Sequence, residues 1–367
     1  MSGETFAIVG CVNREAPHFQ QARGTGIAVF RFDENTGRLE LASETSGIDN
    51  PTFLSIHPEN GCIYANSEVF GWHEGTVSAY RLDPAGGRLV YINKQPTLGS
   101  IAAFNEADRT GRFLALVNYA MFAPTQAPNQ ALVVFPIRPD GSLGASASSV
   151  GYSGSGPDAE RQDRSHPHCV QASPDNRFLV VADLGSDRLL AFPFDAATGQ
   201  VGAPPVESPL PPGSGPRHFR FHGNGRNAYV INELASTVSV LGFDRASGSF
   251  DLLQTVSTVP DGVAENYCAE LLLSPDCRFL YGANRGHDSI ASFRVDPETG
   301  LIEPTGHHPS GGRFPRNFTI SRSGRFMLVA NQNSDSIVTL AIDGETGTLG
   351  DTGEKASIGT PVCIRLT

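Results

Sequence analysis

No run of about twenty apolar residues, the length a membrane-spanning helix requires, occurs anywhere in this 367-residue chain. Basic charge is scarce as well. Twenty-seven Lys and Arg face 38 Asp and Glu, a formal net charge of −11. That balance excludes a nucleic-acid partner, whose phosphates demand a basic face, and an anionic membrane surface. The opening "MSGETFAIVGCVNRE" carries an acid at Glu4 and only a short apolar run, so no secretory signal is expected and the location is read as cytoplasmic. CxxC pairs are missing too. Cys11, Cys62, Cys169, Cys268, Cys277 and Cys363 are scattered, and the reading is reduced, buried thiols. Helical 3.6-residue periodicity of useful length is absent, and so are a GxSxG elbow, a phosphate-binding P-loop and a dinucleotide fingerprint.

What is present is turns and repetition. Forty glycines and 26 prolines imply many turns, and 39% hydrophobic residues suffice for a large core. A hydrophobic strand, then Asp or a similar residue, then Gly, then a short strand recurs as "FDENTGRLE", "LDPAGGRLV", "IRPDGSLG", "FDAATGQVG", "FDRASGSFD", "VDPETGLIE" and "IDGETGTLG". The marker glycines are Gly37, Gly87, Gly141, Gly199, Gly248, Gly300 and Gly347, at spacings of 50, 54, 58, 49, 52 and 47 residues. Seven such units imply an all-β, seven-bladed β-propeller of four-stranded blades. In the fifth unit "RHFRF" reads as the inner strand, then "AYVIN", "VSVLGFD" and the outer "FDLLQTV". The first unit has no inner strand of its own. The C-terminal "PVCIRL" is spare and completes it, closing the ring and removing two open sheet edges. Residues 1–367 therefore read as one domain without a linker.

Alignment of the units within the chain separates architecture from chemistry. At the end of the second strand, Ser67, Asp183, Asn232, Asn284 and Asn331 form a short polar column, read as a turn or inter-blade hydrogen-bonding position. The next column, Glu68, Leu184, Glu233, Arg285 and Gln332, changes chemistry from blade to blade. So does the start of the inner strand: Thr52, His168, Arg217, Ala269 and Arg316. In an antiparallel hairpin the start of one strand lies beside the end of the next, so both columns converge on one mouth of the central channel. A concave polar mouth suits a small molecule. Three arginines gathered there in an acidic protein point to an anionic ligand, although Arg217 and Glu233 also fit a plain ion pair that fixes their hairpin.

His166 and His168 in "SHPHCV" would face one side of a strand, as zinc ligands do. No third His or Cys stands out, so no metal and no cofactor are expected, and His168 is read as a general base or hydrogen-bond donor. His287 in "NRGHDS" is either a further polar group at the mouth or a turn residue. The third unit aligns poorly: "SIAAFNEADRTG" lacks a polar inner-strand start, and "AMFAPTQAPNQ" (Ala120 to Gln130) forms a loop that lies over the site in this reading.

The stretches "RQDRSHPHCVQASPDNRFLVVADLGSDRLLAFPFD", "GSGPRHFRFHGNGRNAYVINELASTVSVLGFD" and "SPDCRFLYGANRGHDSIASFRVDPETG" are similar to the seven-bladed propeller lactonases. That family includes propeller-type 6-phosphogluconolactonase and 3-carboxy-cis,cis-muconate lactonising enzyme. The resemblance implies a metal-free, lactone-handling site with His168, Arg217, Glu233 and Arg285 as its catalytic set. Glu68, His166, His218, Glu270, His287 and Arg316 are the candidate substrate-binding residues. The expected activity is hydrolysis of a sugar-acid lactone, foremost 6-phosphogluconolactone, with His168 or Glu233 activating water. A muconate-type lactonising isomerase and a non-catalytic binding scaffold are the alternatives.

Overall fold

The computed structural model describes residues 4–17, 19, 21–119 and 126–367. It contains seven antiparallel sheets of four strands, each running from an inner to an outer strand. The fourth sheet bears one short extra strand, Gln200–Val201. Among the described residues the only helical segment is a three-residue 3₁₀ turn, Gln332–Ser334, and none is long and apolar enough to cross a membrane. The fifth blade shows the plan: Pro216–Phe221 inside, then Asn227–Asn232, Thr237–Phe243 and Phe250–Ser257 outside. The third blade follows the same plan, with inner strand Ala102–Ala107 and second strand Phe113–Asn118.

Burial explains the strand compositions. A second strand such as Phe178–Asp183 is covered on both faces by neighbouring blades, and every residue of it is buried. It accordingly reads as one continuous apolar run ending in a polar residue. The outer strand Arg88–Pro96 touches the rest on one face only and alternates exposed with half-buried positions. The ring is closed as the repeat count demands: Pro361–Leu366 is the inner strand of the first blade and pairs antiparallel with Thr5–Cys11. All six cysteines are free, and burial pushes the Cys169 and Cys268 thiols up to about 12 and about 11, leaving them inert as nucleophiles.

The marker glycines weld blade to blade. All seven sit between the third and outer strands at φ of 81°, 60°, 84°, 77°, 82°, 74° and 74°, the left-handed region that favours glycine. Six of the turns are closed by the Gly N–H donating to the Asp carbonyl four residues back, as in Gly37 to Asp33 and Gly248 to Asp244. Each turn abuts the start of the second strand in the preceding blade. Gly199 rests on Phe113, Gly248 on Phe178, Gly347 on Phe279 and, across the closure, Gly37 on Phe326. A side chain there would be both strained and unhoused.

The short polar column belongs to this scaffold. Asn118 Nδ2 donates to the Thr97 carbonyl, Asn284 Nδ2 to that of Thr258, and Asn331 Nδ2 to that of Ser310. Each acceptor lies on the connection arriving from the previous blade.

Gly199→Ala would put a methyl 2.3 Å from the Phe113 ring, whereas Gly353, at the same φ of 77°, has nothing within 4 Å. Gly353→Ala should destabilise by about 1–2 kcal/mol, the left-handed penalty alone. Gly199→Ala should lose roughly 1–3 kcal/mol more through overpacking. Equilibrium denaturant unfolding of both variants measures the difference.

Candidate active site

A cavity of about 790 Å³ opens at one mouth of the channel. Its walls come from inner-strand starts and second-strand ends of several blades. A local irregularity sets the aim of the inner-strand residues. The pairing register slips between Pro167 and Cys169, between Pro216 and His218, and between Pro315 and Asn317. His168, Arg217 and Arg316 are therefore the extra residues of β-bulges. A bulged residue leaves the ladder and is redirected, here toward the axis.

Six of the expected residues line the cavity: Glu68, His166, His168, Glu233, Arg285 and Arg316. Three lie beneath it. Arg217 is 3% exposed and supports Glu233 from below. His218 and Glu270 belong to a deeper tier, so direct substrate contact by these two is not what the structure shows. Glu270 is fully buried and accepts from His218 Nδ1 (2.9 Å), Arg220 Nη2 (3.3 Å), Arg365 Nη2 (3.2 Å) and Asn317 Nδ2 (2.5 Å). These donors come from blades 5, 1 and 7, and Glu270 from blade 6, so this carboxylate staples four inner strands together. The tenth residue, His287, is not brought to the cavity. Its Nδ1 lies 2.7 Å from Ser289 Oγ and its ring beside His307, so it is the turn residue of the two readings.

Glu233 is the focus of the upper tier. Oε1 accepts from Arg161 Nη2 at 2.6 Å; Oε2 lies 2.8 Å from Arg285 Nη2 and 2.9 Å from Arg217 Nε. The Arg217 N–H does not point along its contact, so that pair is an ion contact rather than a hydrogen bond. Burial alone would push Glu233 up, but Arg285, Arg161 and Arg217 together outweigh it and hold the carboxyl well below the usual range. Burial, reinforced by the Arg217 charge, pulls His168 well below an ordinary imidazole, so its ring is neutral at pH 7. His168 Nδ1 is buried and has no hydrogen-bond partner among the described residues. Burial weakens the grip of Arg217 and Arg316 on their protons, but a guanidinium stays charged in proteins. Arg316 forms no ion pair among the described residues; its guanidinium lies 5.3 Å over the Phe19 ring.

Sequence reasoning missed Arg161 and Tyr119. Arg161 comes from the loop before the fourth inner strand, outside the repeat alignment. Tyr119 follows Asn118, just as Glu233 follows Asn232, so it occupies the variable column in the blade that would not align. Of the loop expected over the site, residues 120–125 lie outside the described residues.

The family model described as "Lactonase, 7-bladed beta-propeller" matches residues 7–366. A 6-phosphogluconolactonase from Formosa agariphila is 36% identical over 82% of this chain and 84% of its own length. A 6-phosphogluconolactonase from Bacillus subtilis is 31% identical over 80% of this chain and 81% of its own. A solved structure, the periplasmic gluconolactonase of Pseudomonas aeruginosa, is 31% identical and superposes with a TM-score of 0.87 over 99% of both chains.

Glu233→Gln would leave the buried guanidiniums of Arg217 and Arg285 without their counter-charge. The expected loss is about 3–5 kcal/mol in chemical denaturation. Acid should act in the same direction. Glu233 binds its proton less tightly folded than unfolded, so its contribution is full above about pH 4.3 and is lost as pH falls through the lower folded value. His168 and His218, the latter pulled down to about 3 mainly by burial, stay neutral in the fold but charge when unfolded. Stability should therefore begin to fall below about pH 6.5. Unfolding midpoints from about pH 7.5 down to about pH 2 check both.

Proposed function

This chain belongs to the seven-bladed β-propeller lactonase family, and on that footing we propose that it is an enzyme that opens a sugar-acid lactone by hydrolysis, with 6-phosphogluconolactone, for which two of its relatives are named, as the substrate. The observation that carries this reading is the meeting of a neutral imidazole, His168, with the guanidiniums gathered on Glu233 in one concave site.

The two candidate bases divide by their surroundings. Glu233 has both carboxylate oxygens committed to three guanidiniums, so it is a poor acceptor of a proton from water. It serves to hold Arg161, Arg217 and Arg285 in a fixed cluster. His168 is uncharged, lines the cavity and is held in no ion pair among the described residues, and it takes the proton from the attacking water. Nearby Glu233 favours the imidazolium that forms. Positioned bases contribute roughly 10²–10⁴-fold. The lactone carbonyl oxygen turns toward Arg285 and Arg161, where each well-placed donor is worth about 2.7–4 kcal/mol as the oxyanion develops. Arg316, lacking an ion-pair partner among the described residues, receives the phosphate.

The test is a pH-controlled assay on phosphorylated and unphosphorylated gluconolactone, with spontaneous opening subtracted. His168→Gln should lose at least about 100-fold in kcat. Arg316→Met should raise KM for the phosphorylated lactone about tenfold or more, and much less for the unphosphorylated one. Because His168 stays neutral well below pH 6.5, the wild-type rate should hold nearly constant from pH 7.5 down to 6. An ordinary imidazole would be roughly three-quarters protonated at pH 6 and its rate would fall accordingly. A wild-type rate no higher than that of His168→Gln on every lactone overturns the proposal.

A further inference from the structure

Hydrolysis of a lactone needs a second proton transfer, since the ring oxygen leaves as an alkoxide and must be protonated. His166 lines the same cavity as His168, one residue outside the bulge. Its surroundings are opposite in kind. Nδ1 lies 2.7 Å from the Tyr119 carbonyl oxygen and Nε2 lies 3.2 Å from Asp163 Oδ1. A backbone carbonyl only accepts. Asp163 also only accepts while ionised, and Arg164 keeps it so: Nε and Nη2 both donate to Oδ2, at 2.8 and 2.6 Å. Burial pushes the Asp163 carboxyl up somewhat, but Arg164 and His166 outweigh it and hold it below its usual range. A neutral imidazole has one N–H and cannot satisfy two acceptors. The ring is further fixed by stacking on Tyr119, with centroids 4.2 Å apart and planes 14° apart.

We propose that His166 is an imidazolium, held doubly donating between the Tyr119 carbonyl and Asp163, and that it is the general acid that protonates the leaving ring oxygen. This rests on the lactonase reading. Asp163 and Tyr119 are positioning residues. The other charged or titratable groups lining the cavity are Glu160, Arg161, Arg164 and His168 on the His166 segment, and Glu68, Glu233, Glu265, Tyr267, Arg285 and Arg316 from other elements. Asp183 accepts the His166 backbone N–H on the far side.

The contact to Asp163 is the longer of the two and involves the more exposed partner, so it is the one a substrate oxygen replaces. The proton balance then closes. Water adds to the carbonyl carbon as His168 takes its proton. The tetrahedral intermediate collapses, the bond from acyl carbon to ring oxygen breaks, and that oxygen takes the Nε2 proton of His166. His168 releases its proton to solvent and His166 regains one. The acid product ionises, so one proton is liberated per turnover.

The experiment has two arms on the full chain. In the first, ring nitrogens of the histidines are observed by ¹⁵N NMR at pH 7, with the His166 signal identified by its loss in His166→Gln. Two protonated nitrogens are expected in the wild type and one bare nitrogen in Asp163→Asn. A bare nitrogen on His166 in the wild type overturns the proposal. In the second, kcat is compared on gluconolactone, which leaves as an alkoxide, and on dihydrocoumarin, which leaves as a phenolate needing no acid. His166→Gln, with its folding checked by its melting temperature, should lose about 100-fold on the first and only a few-fold on the second. Equal losses on both overturn the acid role. If the wild type opens neither lactone, the lactonase reading and the acid role fall together, while the NMR arm still decides the charge.

Discussion

The pairing of Pro361–Leu366 with Thr5–Cys11 is the constraint on which the rest depends. The first blade has its full four strands only because the two ends of the polypeptide share it. Closing so large a loop has an entropic penalty that grows only slowly with length, and a full strand ladder outweighs it. The closing strand also brings chemistry with it. Arg365 reaches Glu270, and Asn317 accepts from the Ile364 N–H, so the last strand is tied through the axis to blades 6 and 7.

Two buried carboxylates stand in series along that axis and illustrate how surroundings divide like groups into unlike roles. Glu270 is wholly enclosed and fully hydrogen-bonded, and its partners come from the strands it unites. Glu233 is one level up, at the floor of an open cavity, and its partners include Arg161 from a loop. Burying charge is tolerated only where geometry compensates it. Below, compensation is complete. Above, the Arg217 Nε and His168 Nδ1 are buried without hydrogen-bond partners among the described residues, a mark of a site whose polar groups are arranged for something besides stability.

The fold was legible because its punctuation is chemical. A turn that needs a left-handed residue and lies against the preceding blade accepts only glycine, so Gly37 to Gly347 announce the blade count. The cavity was legible where a blade kept its register, which is why His168, Glu233, Arg285 and Arg316 emerged from column comparison. It was obscure where register information failed. The third blade offers Ala103 instead of a polar inner start, so Tyr119 went unnoticed. Arg161 sits in a connection with no counterpart in other blades. The depth of Arg217 and His218 depends on a slip of the ladder, and neither propensity nor periodicity encodes which side of a bulge faces upward. His287 followed its motif to the mouth on paper, yet its turn carries it toward Ser289 and His307. The compartment is equally unfixed by family, since one relative is named as periplasmic.

The bulges have a consequence for how such molecules diversify. A residue that stands outside the ladder contributes little to strand pairing, so its replacement need not disturb the sheet that carries it. Around this channel the equivalent bulge positions already hold a histidine, two arginines and an alanine on blades of the same four-stranded plan. The architecture thus separates inheritance of shape from inheritance of chemistry. A new specificity can be assembled one spoke at a time, while the wheel that carries it keeps turning true.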